Sequence, residues 1–155
     1  MARSRAGVVP QAYLNRFEAA KACKAAGKRL CTAKQWYRAC SGPSTLHYPY
    51  GNTAVAGCCN TDKEHVMQKV FGKGVVFTFA DHFNSPRLNR EPGFLAASGA
   101  YPGCVTAEGV HDMVGNLHEW VGDAMSLELP KEIPLELGVY KLGANGNGIF
   151  MGGYY

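Results

Sequence analysis

The sequence predicts an α+β domain with two helices, short antiparallel strands and long ordered loops. Capping signatures at Asn15 and Thr32 begin two helical patterns in the N-terminal third of the chain. Runs of β-branched and aromatic residues further along indicate strands. The 19 glycines and 8 prolines among 155 residues are typical of a fold in which loops connect short elements.

The first helix is expected over roughly 15–26. Asn15 suits the N-cap position, with the acidic Glu18 three positions later as in a capping box. Gly27 suits the C′ position, where a left-handed residue ends a helix. One face is expected to carry Phe17, Ala20, Cys23 and Ala26. The lysines at 21, 24 and 28 are expected to point elsewhere.

A second helix is expected from Thr32 to about Ser41, just before a Gly-Pro pair. Thr32 and Gln35 form its capping box. Trp36 and Cys40 are four residues apart, so they should share the buried face. Trp36 is expected to anchor the core, because a large aromatic side chain contributes most when it is buried.

Three segments of the sequence are predicted to be strands. The segment 74–80 is β-branched and aromatic, with Val75, Phe77 and Phe79 on one face. The segments Leu137–Leu142 and Ile149–Tyr155 are plausible closing strands, joined by the Gly/Asn-rich residues 143–148.

Two long stretches, 43–60 and 81–108, are rich in turn residues and are predicted to be loops. Loops of this length seldom keep their shape by packing alone. Disulfides or bound ions are therefore expected.

Composition excludes several classes of protein. With 46% hydrophobic and 18% charged residues, the chain is globular and long enough for one domain with its own core. The net charge of +4 is scattered, without a long basic run among aromatics, so nucleic acid is not an expected partner. No segment is apolar for the ~20 residues needed to cross a bilayer.

The six cysteines point to an oxidising compartment, because an even number favours disulfides. The sequence contains no Cys-x-x-Cys pair, so a zinc site is not expected. We therefore expect an extracytoplasmic protein, periplasmic or secreted. The N-terminus has no apolar signal-peptide core. The cysteine count and the missing signal-peptide core agree if the chain is a fragment or has lost an export signal.

The most informative segment is GVHDMVGNLHEWVGD, residues 109–123. Asp112 and Glu119 flank a turn at Gly115 and Asn116. Such a loop brings carboxylates and bare carbonyls together, which are the ligands that calcium prefers. The alternative interpretation is a solvated turn before a strand.

Five ordered elements resemble the formylglycine-generating-enzyme family, also called the sulfatase-modifying-factor family. Residues 109–123 are similar to its Gly-Leu/Val-Tyr-Asp-Met-x-Gly-Asn-x-x-Glu-Trp signature, with His118 where many members have Trp. The stretch AGKRLCTAKQWYRACSG is similar to its GKRLCT-x-x-EW-x-x-AC-x-G block. Shorter matches are YPYG at 48–51, CN at 59–60 and MGGYY at 151–155. Segment 61–85 has no recognised counterpart and is expected to be an insertion.

The resemblance implies a C-type-lectin-like fold, with residues 1–155 as one domain that is incomplete at both ends. It also implies a calcium ion bound by the side chains of Asp112 and Glu119. The carbonyls of Gly115 and Leu117 would complete this ligand set.

A second family calcium would use the side chain of Asn60 and the carbonyl of Thr61. The later acid of that site has no clear match here, and Asn89 and Glu91 are the candidates. Family disulfide pairing gives Cys40 a partner in a terminal element, so Cys40 is expected to be free or mispaired here.

Active members of the family oxidise a sulfatase cysteine to formylglycine, using oxygen and copper(I) bound by two thiolates. The resemblance places those thiolates downstream of Tyr155, and none of the six cysteines matches them. Copper(I) is therefore expected only if the full-length protein carries the pair.

Three functions remain open. The first is a non-catalytic, calcium-stabilised structural or binding module. The second is the central portion of a copper-dependent oxidase that makes formylglycine. The third is a lectin-like surface. The expected partners are a protein or peptide, including a sulfatase-like substrate, or a glycan.

Overall fold

The described α-helices lie in the N-terminal half of the chain, and the described strands lie in its C-terminal part. The computed structural model describes residues 1–83, 85–124, 140–141 and 148–153. The α-helices are α1 (Arg16–Ala25), α2 (Ala33–Ser41) and α3 (Val66–Phe71), followed by a π-helical turn (Phe79–Phe83) and a 3-10 helix (Pro86–Asn89). The strands are β1 (Glu119–Ala124), β2 (Tyr140–Lys141) and β3 (Gly148–Met151).

The first two helices confirm the predictions made from their caps. The Asn15 side chain accepts from Glu18 N at 2.9 Å, and Asn15 N donates to the Glu18 carboxylate at 3.1 Å. Thr32 and Gln35 form the same reciprocal pair in α2. Gly27 has φ +69° just after α1, the left-handed conformation that glycine adopts at low cost.

The sheet is antiparallel in the order β1-β3-β2, with Glu119 opposite Met151 and Trp120 opposite Phe150. β3 confirms the first part of the strand predicted over Ile149–Tyr155, but it ends at Met151. Gly152 and Gly153 are outside the strand, and Tyr154 and Tyr155 lie outside the described residues. Of the strand predicted over 137–142, only Tyr140–Lys141 is described, and it pairs with β3. Of the turn predicted over 143–148, residues 143–147 also lie outside the described residues, and Gly148 begins β3 instead. No helix in the described part of the chain could span a membrane.

The strand predicted over 74–80 is wrong. Residues 74–78 are irregular, and the chain then makes a π-helical turn over Phe79–Phe83. The Thr78 carbonyl accepts from both His82 N and Phe83 N at 3.1 Å, and the Thr78 hydroxyl donates to Asp81. A strand needs a neighbour for its backbone groups, whereas local bonds satisfy both backbone groups of Thr78 here.

Two separate clusters of buried side chains form the interior. The main core joins α2, the signature segment and the sheet, and consists of Ala33, Trp36, Cys40, Met113, Val121, Ile149 and Met151. The satellite core joins α3 to the 3-10 helix and consists of Val66, Met67, Val70, Leu88 and Phe94. The sequence predicted neither α3 nor the 3-10 helix. Trp36 and Cys40 are 3% and 1% exposed, which confirms the predicted buried face of α2.

Candidate functional site

The signature segment forms a tight loop that leads into β1. Four residues of the segment are left-handed, namely Gly109, Asp112, Gly115 and Asn116, with φ angles of +78°, +62°, +73° and +67°. Asp112 N donates to the Cys104 carbonyl at 3.0 Å, and the Asp112 carboxylate accepts from Gly99 N at 2.8 Å. A backbone of this kind is costly for residues other than glycine, so surrounding bonds must hold it in place.

Glu119 begins β1, and its carboxylate accepts a hydrogen bond from the Trp36 indole. Burial raises the pKa of the Glu119 carboxyl, the Trp36 bond lowers it, and the charge of Asp112 raises it again. The negative charge of Asp112 therefore disfavours ionisation of Glu119. The sequence assigned Trp36 to the core but did not reveal its bond to Glu119.

The two predicted carbonyl ligands lie between these carboxylates along the loop. The Gly115 carbonyl accepts from Leu117 N at 2.8 Å, which leaves it a second lone pair. Asp112, Leu117 and Glu119 line one cavity of about 1200 Å³. Within the described ranges no three His, Cys, Asp or Glu side chains are grouped as metal ligands. A cation here would rely on two carboxylates and on main-chain oxygens.

The predicted second site lies against the first, because Asn60 is buried beside the signature turn. Its side-chain amide donates to the Phe94 carbonyl and to Asn116 Oδ1, both at 2.8 Å. Its Oδ1 accepts from the Tyr101 hydroxyl at 3.1 Å, and its carbonyl accepts from Asn116 N at 3.0 Å. Asn60 therefore fastens the turn to the neighbouring loop.

Thr61 and Asn89, which were also predicted for the second site, form side-chain hydrogen bonds with groups outside the signature turn. The Thr61 hydroxyl donates to the Asp62 carboxylate at 3.1 Å. Asn89, a candidate for the later acid, uses its Oδ1 to accept from Ala12 N at 2.7 Å. Glu91, the other candidate, is half-buried just after the 3-10 helix.

Asn116 is a site residue whose side-chain role the sequence did not reveal. It is 5% exposed, and its amide bonds both backbone groups of Ala96, accepting from N at 2.9 Å and donating to O at 3.2 Å. The Gly-Asn step signalled the turn, but the partners come from a segment 20 residues away. Only the folded chain identifies them.

An aromatic wall borders the same cavity. Phe150 packs against Trp120 and His118, with ring centroids 5.3 Å and 4.7 Å apart. The Trp120 indole donates to the Leu14 carbonyl at 2.7 Å and so holds the segment that precedes α1. Burial lowers the pKa of His118, while its bond to the Gly152 carbonyl raises it. His118 is therefore a packed ring whose charged form is disfavoured by burial.

One disulfide joins Cys59 to Cys104, so oxidised pairing is present as predicted. The other cysteines are free thiols, namely Cys23, Cys31, Cys40 and Cys58, and a free Cys40 agrees with the expectation. Burial, and then the charge of Glu119, raise the pKa of Cys40 to about 12. The pKa of Cys31 is also raised, chiefly by burial.

The chain matches one family model, the sulfatase-modifying factor enzyme 1-like domain, over residues 3–155. No curated protein matches it. The matched range includes both blocks on which the resemblance rests and every residue of the loop and wall described above. The chain therefore belongs to the sulfatase-modifying factor enzyme 1-like family.

Proposed function

We propose that this chain is a non-catalytic module of the family, with a C-type-lectin-like fold stabilised by calcium in its signature loop. Asp112 and Glu119 would supply carboxylate oxygens, and Gly115 and Leu117 would supply carbonyl oxygens. Calcium accepts six to eight oxygen ligands in flexible geometry, and water would fill the remaining positions.

The proposal rests chiefly on the electrostatics of Glu119. Glu119 is half-buried, and burial and then the charge of Asp112 raise the pKa of its carboxyl. Neither carboxylate belongs to an ion pair in the described part of the chain. Two neighbouring carboxylates without a cation are unfavourable. A divalent cation would offset this repulsion and hold the left-handed loop in place.

A second calcium at Asn60 and Thr61 would be weaker. Asn60 Oδ1 already accepts from the Tyr101 hydroxyl, so an ion would have to share this oxygen. The Thr61 carbonyl is the other predicted ligand. We propose this position only as a low-affinity site.

Thermal unfolding with calcium or with a chelator tests the main site. Calcium at a hundredfold excess over its dissociation constant should stabilise the wild-type chain by about 2.7 kcal/mol. Glu119→Gln and Asp112→Asn should abolish this gain, because each removes an anionic ligand. Glu64→Gln is the matched control at an exposed carboxylate paired with Lys69, and it should keep the gain. Identical wild-type midpoints in calcium and chelator would reject the site.

The described cysteines support the non-catalytic proposal. Copper(I) prefers paired thiolates, but Cys59 and Cys104 are joined in a disulfide. Burial raises the pKa of Cys40 and of Cys31, which disfavours the thiolate form that copper(I) would need. Incubation with a cysteine-containing sulfatase peptide, copper and oxygen should give no aldehyde by mass spectrometry. Formation of formylglycine would establish the oxidase alternative instead.

The third function, ligand recognition, would use the cavity beside the loop. Its aromatic wall of Trp120 and Phe150 suits stacking against a sugar ring or a peptide side chain. We propose a peptide or a glycan as its ligand class. The Cys59–Cys104 disulfide supports an extracytoplasmic location, where such bonds persist.

A further inference from the structure

The outer surface of α1 is a feature that neither calcium nor the cavity explains. No residue of this helix is buried, and Phe17 is 78% exposed. The helix is held at its ends and inner side instead: the Arg16 guanidinium donates to the carbonyls of Val121 and Gly122, and Ala2 N donates to the Ala22 carbonyl. Its outer surface is therefore fixed in position without being covered by any described residue.

This surface borders a groove of about 500 Å³ between α1 and the C-terminal end of β1, where Gly122 and Asp123 line it. Phe17, Ala20 and Leu30 supply apolar contacts there. Phe17, Ala20 and Lys24 follow the spacing of one helical face. The sequence had led us to expect Lys24 on a different face from Phe17, but both line this groove.

The groove is strongly positive. Lys24, Lys28 and Arg29 line it together with Arg16, and Asp123 is the one acidic residue among its lining residues. The Asp123 carboxylate already accepts from Ala33 N at the start of α2. The two ion pairs found among the described residues involve neither these lysines nor Arg29. The C-terminus of α1 offsets part of this charge, but not a cluster of cations.

We infer that the α1 groove is a docking site for an acidic segment of a partner protein that carries an apolar side chain. Carboxylates of the partner would pair with Lys24, Lys28 and Arg29, and its apolar side chain would pack on Phe17. Protein interfaces typically place aromatic anchors at the centre and polar residues at the rim. The exposed ring lies beside a concave surface, which suits a peptide better than a flat lipid surface.

Fluorescence anisotropy with a short labelled peptide of Asp, Glu, Leu and Phe tests this inference. A peptide with Lys in place of each acid is the negative probe, and chelator is present throughout so that the signature loop does not contribute. The acidic peptide should bind, and raising the salt concentration should weaken it because exposed charges are screened. The Lys-containing peptide should not bind.

Variants locate the binding. Lys24→Glu with Lys28→Glu should raise Kd at least about tenfold, which corresponds to 1.4 kcal/mol. Phe17→Ala should raise Kd several-fold. Lys73→Glu is the matched control, because Lys73 is exposed in a turn outside the groove. All these side chains are exposed, so each variant should fold. Circular dichroism checks this.

Three results would overturn the inference. One is no binding of the acidic peptide at millimolar concentration. Another is equal weakening in the groove variants and in Lys73→Glu. The third is Phe17-dependent binding to phosphatidylserine vesicles or to duplex DNA without binding to the peptide.

Discussion

The main core and the satellite core are built by different means. The main core joins residues from Ala33 to Met151, so almost the whole chain must fold before it exists. The satellite core lies between Val66 and Phe94, inside the segment that the Cys59–Cys104 disulfide closes. One core therefore depends on distant pairing of elements, and the other on closure of a loop.

The comparison of the two cores indicates which parts of the domain the family motifs specify. The main core contains residues from both family blocks, and its helix α2 begins and ends where the sequence predicted. The satellite core lies largely in the segment 61–85, for which no family counterpart was recognised. Asn60 and Asn116 connect the two, because their amides join the signature turn to the backbone of Phe94 and Ala96.

The largest expected effect is in the main core. Trp36→Ala should lower the free energy of unfolding by about 3–5 kcal/mol, because it leaves a cavity and removes the donor to Glu119. Trp36→Phe keeps most of the packing but not the hydrogen bond, so it should cost much less. Phe17→Ala, at an exposed position, should stay within about 0.5 kcal/mol. Urea unfolding followed by circular dichroism measures all three. Equal losses for Trp36→Ala and Phe17→Ala would contradict the assigned core.

Removing the disulfide should mainly weaken the satellite core. Cys59→Ser with Cys104→Ser should destabilise by about 2–4 kcal/mol, since the bond closes a loop of intermediate length. Amide hydrogen exchange should show protection lost first around α3 and the 3-10 helix, while α2 and β3 remain protected. Cys58→Ser is the control, because Cys58 is a free thiol. Uniform loss of protection would mean that the two cores unfold as one unit.

The connection between the cores should have a smaller effect. Asn60→Ala removes one of the two donors to Asn116 Oδ1 and to the Phe94 carbonyl, and it removes the acceptor of the Tyr101 hydroxyl. These losses should together cost about 1–3 kcal/mol. Thr61→Ala is the matched control, since its hydroxyl bonds only Asp62 near the surface. Hydrogen exchange should rise on both sides of the connection in Asn60→Ala alone. A loss confined to one core would remove Asn60 from its connecting role.

The smallest expected effect is a pH dependence in the main core. The pKa of Glu119 is raised in the folded state, chiefly by burial. Its protonation therefore favours folding: the contribution is complete below the ordinary glutamate pKa and is lost as pH rises through the raised value. In chelator, the stability of the wild type relative to the Glu119→Gln variant should increase as pH falls through this window. In calcium the sign should reverse, because protons compete with the ion. The same trend in both buffers would argue against calcium at Glu119.

The sequence by itself determined the features that depend on near neighbours. The caps at Asn15 and Thr32 are satisfied by groups three positions away, so α1 and α2 could be placed to within a residue or two. The signature segment was identified as one loop because its carboxylates and its Gly-Asn turn lie close together in the chain.

Only the tertiary structure decided the features that depend on distant partners. Residues 74–80 have a strand pattern, but no described strand lies beside them, and Phe77 instead packs against Phe71 and His82. The choice of Cys104 as the partner of Cys59 depends on where two loops meet. The position of Asn60 against Asn116, and of Trp36 against Glu119, likewise follows from how separate elements pack. Sequence patterns specify the side chains available for such contacts, but the contacts themselves form only when the chain brings distant segments together.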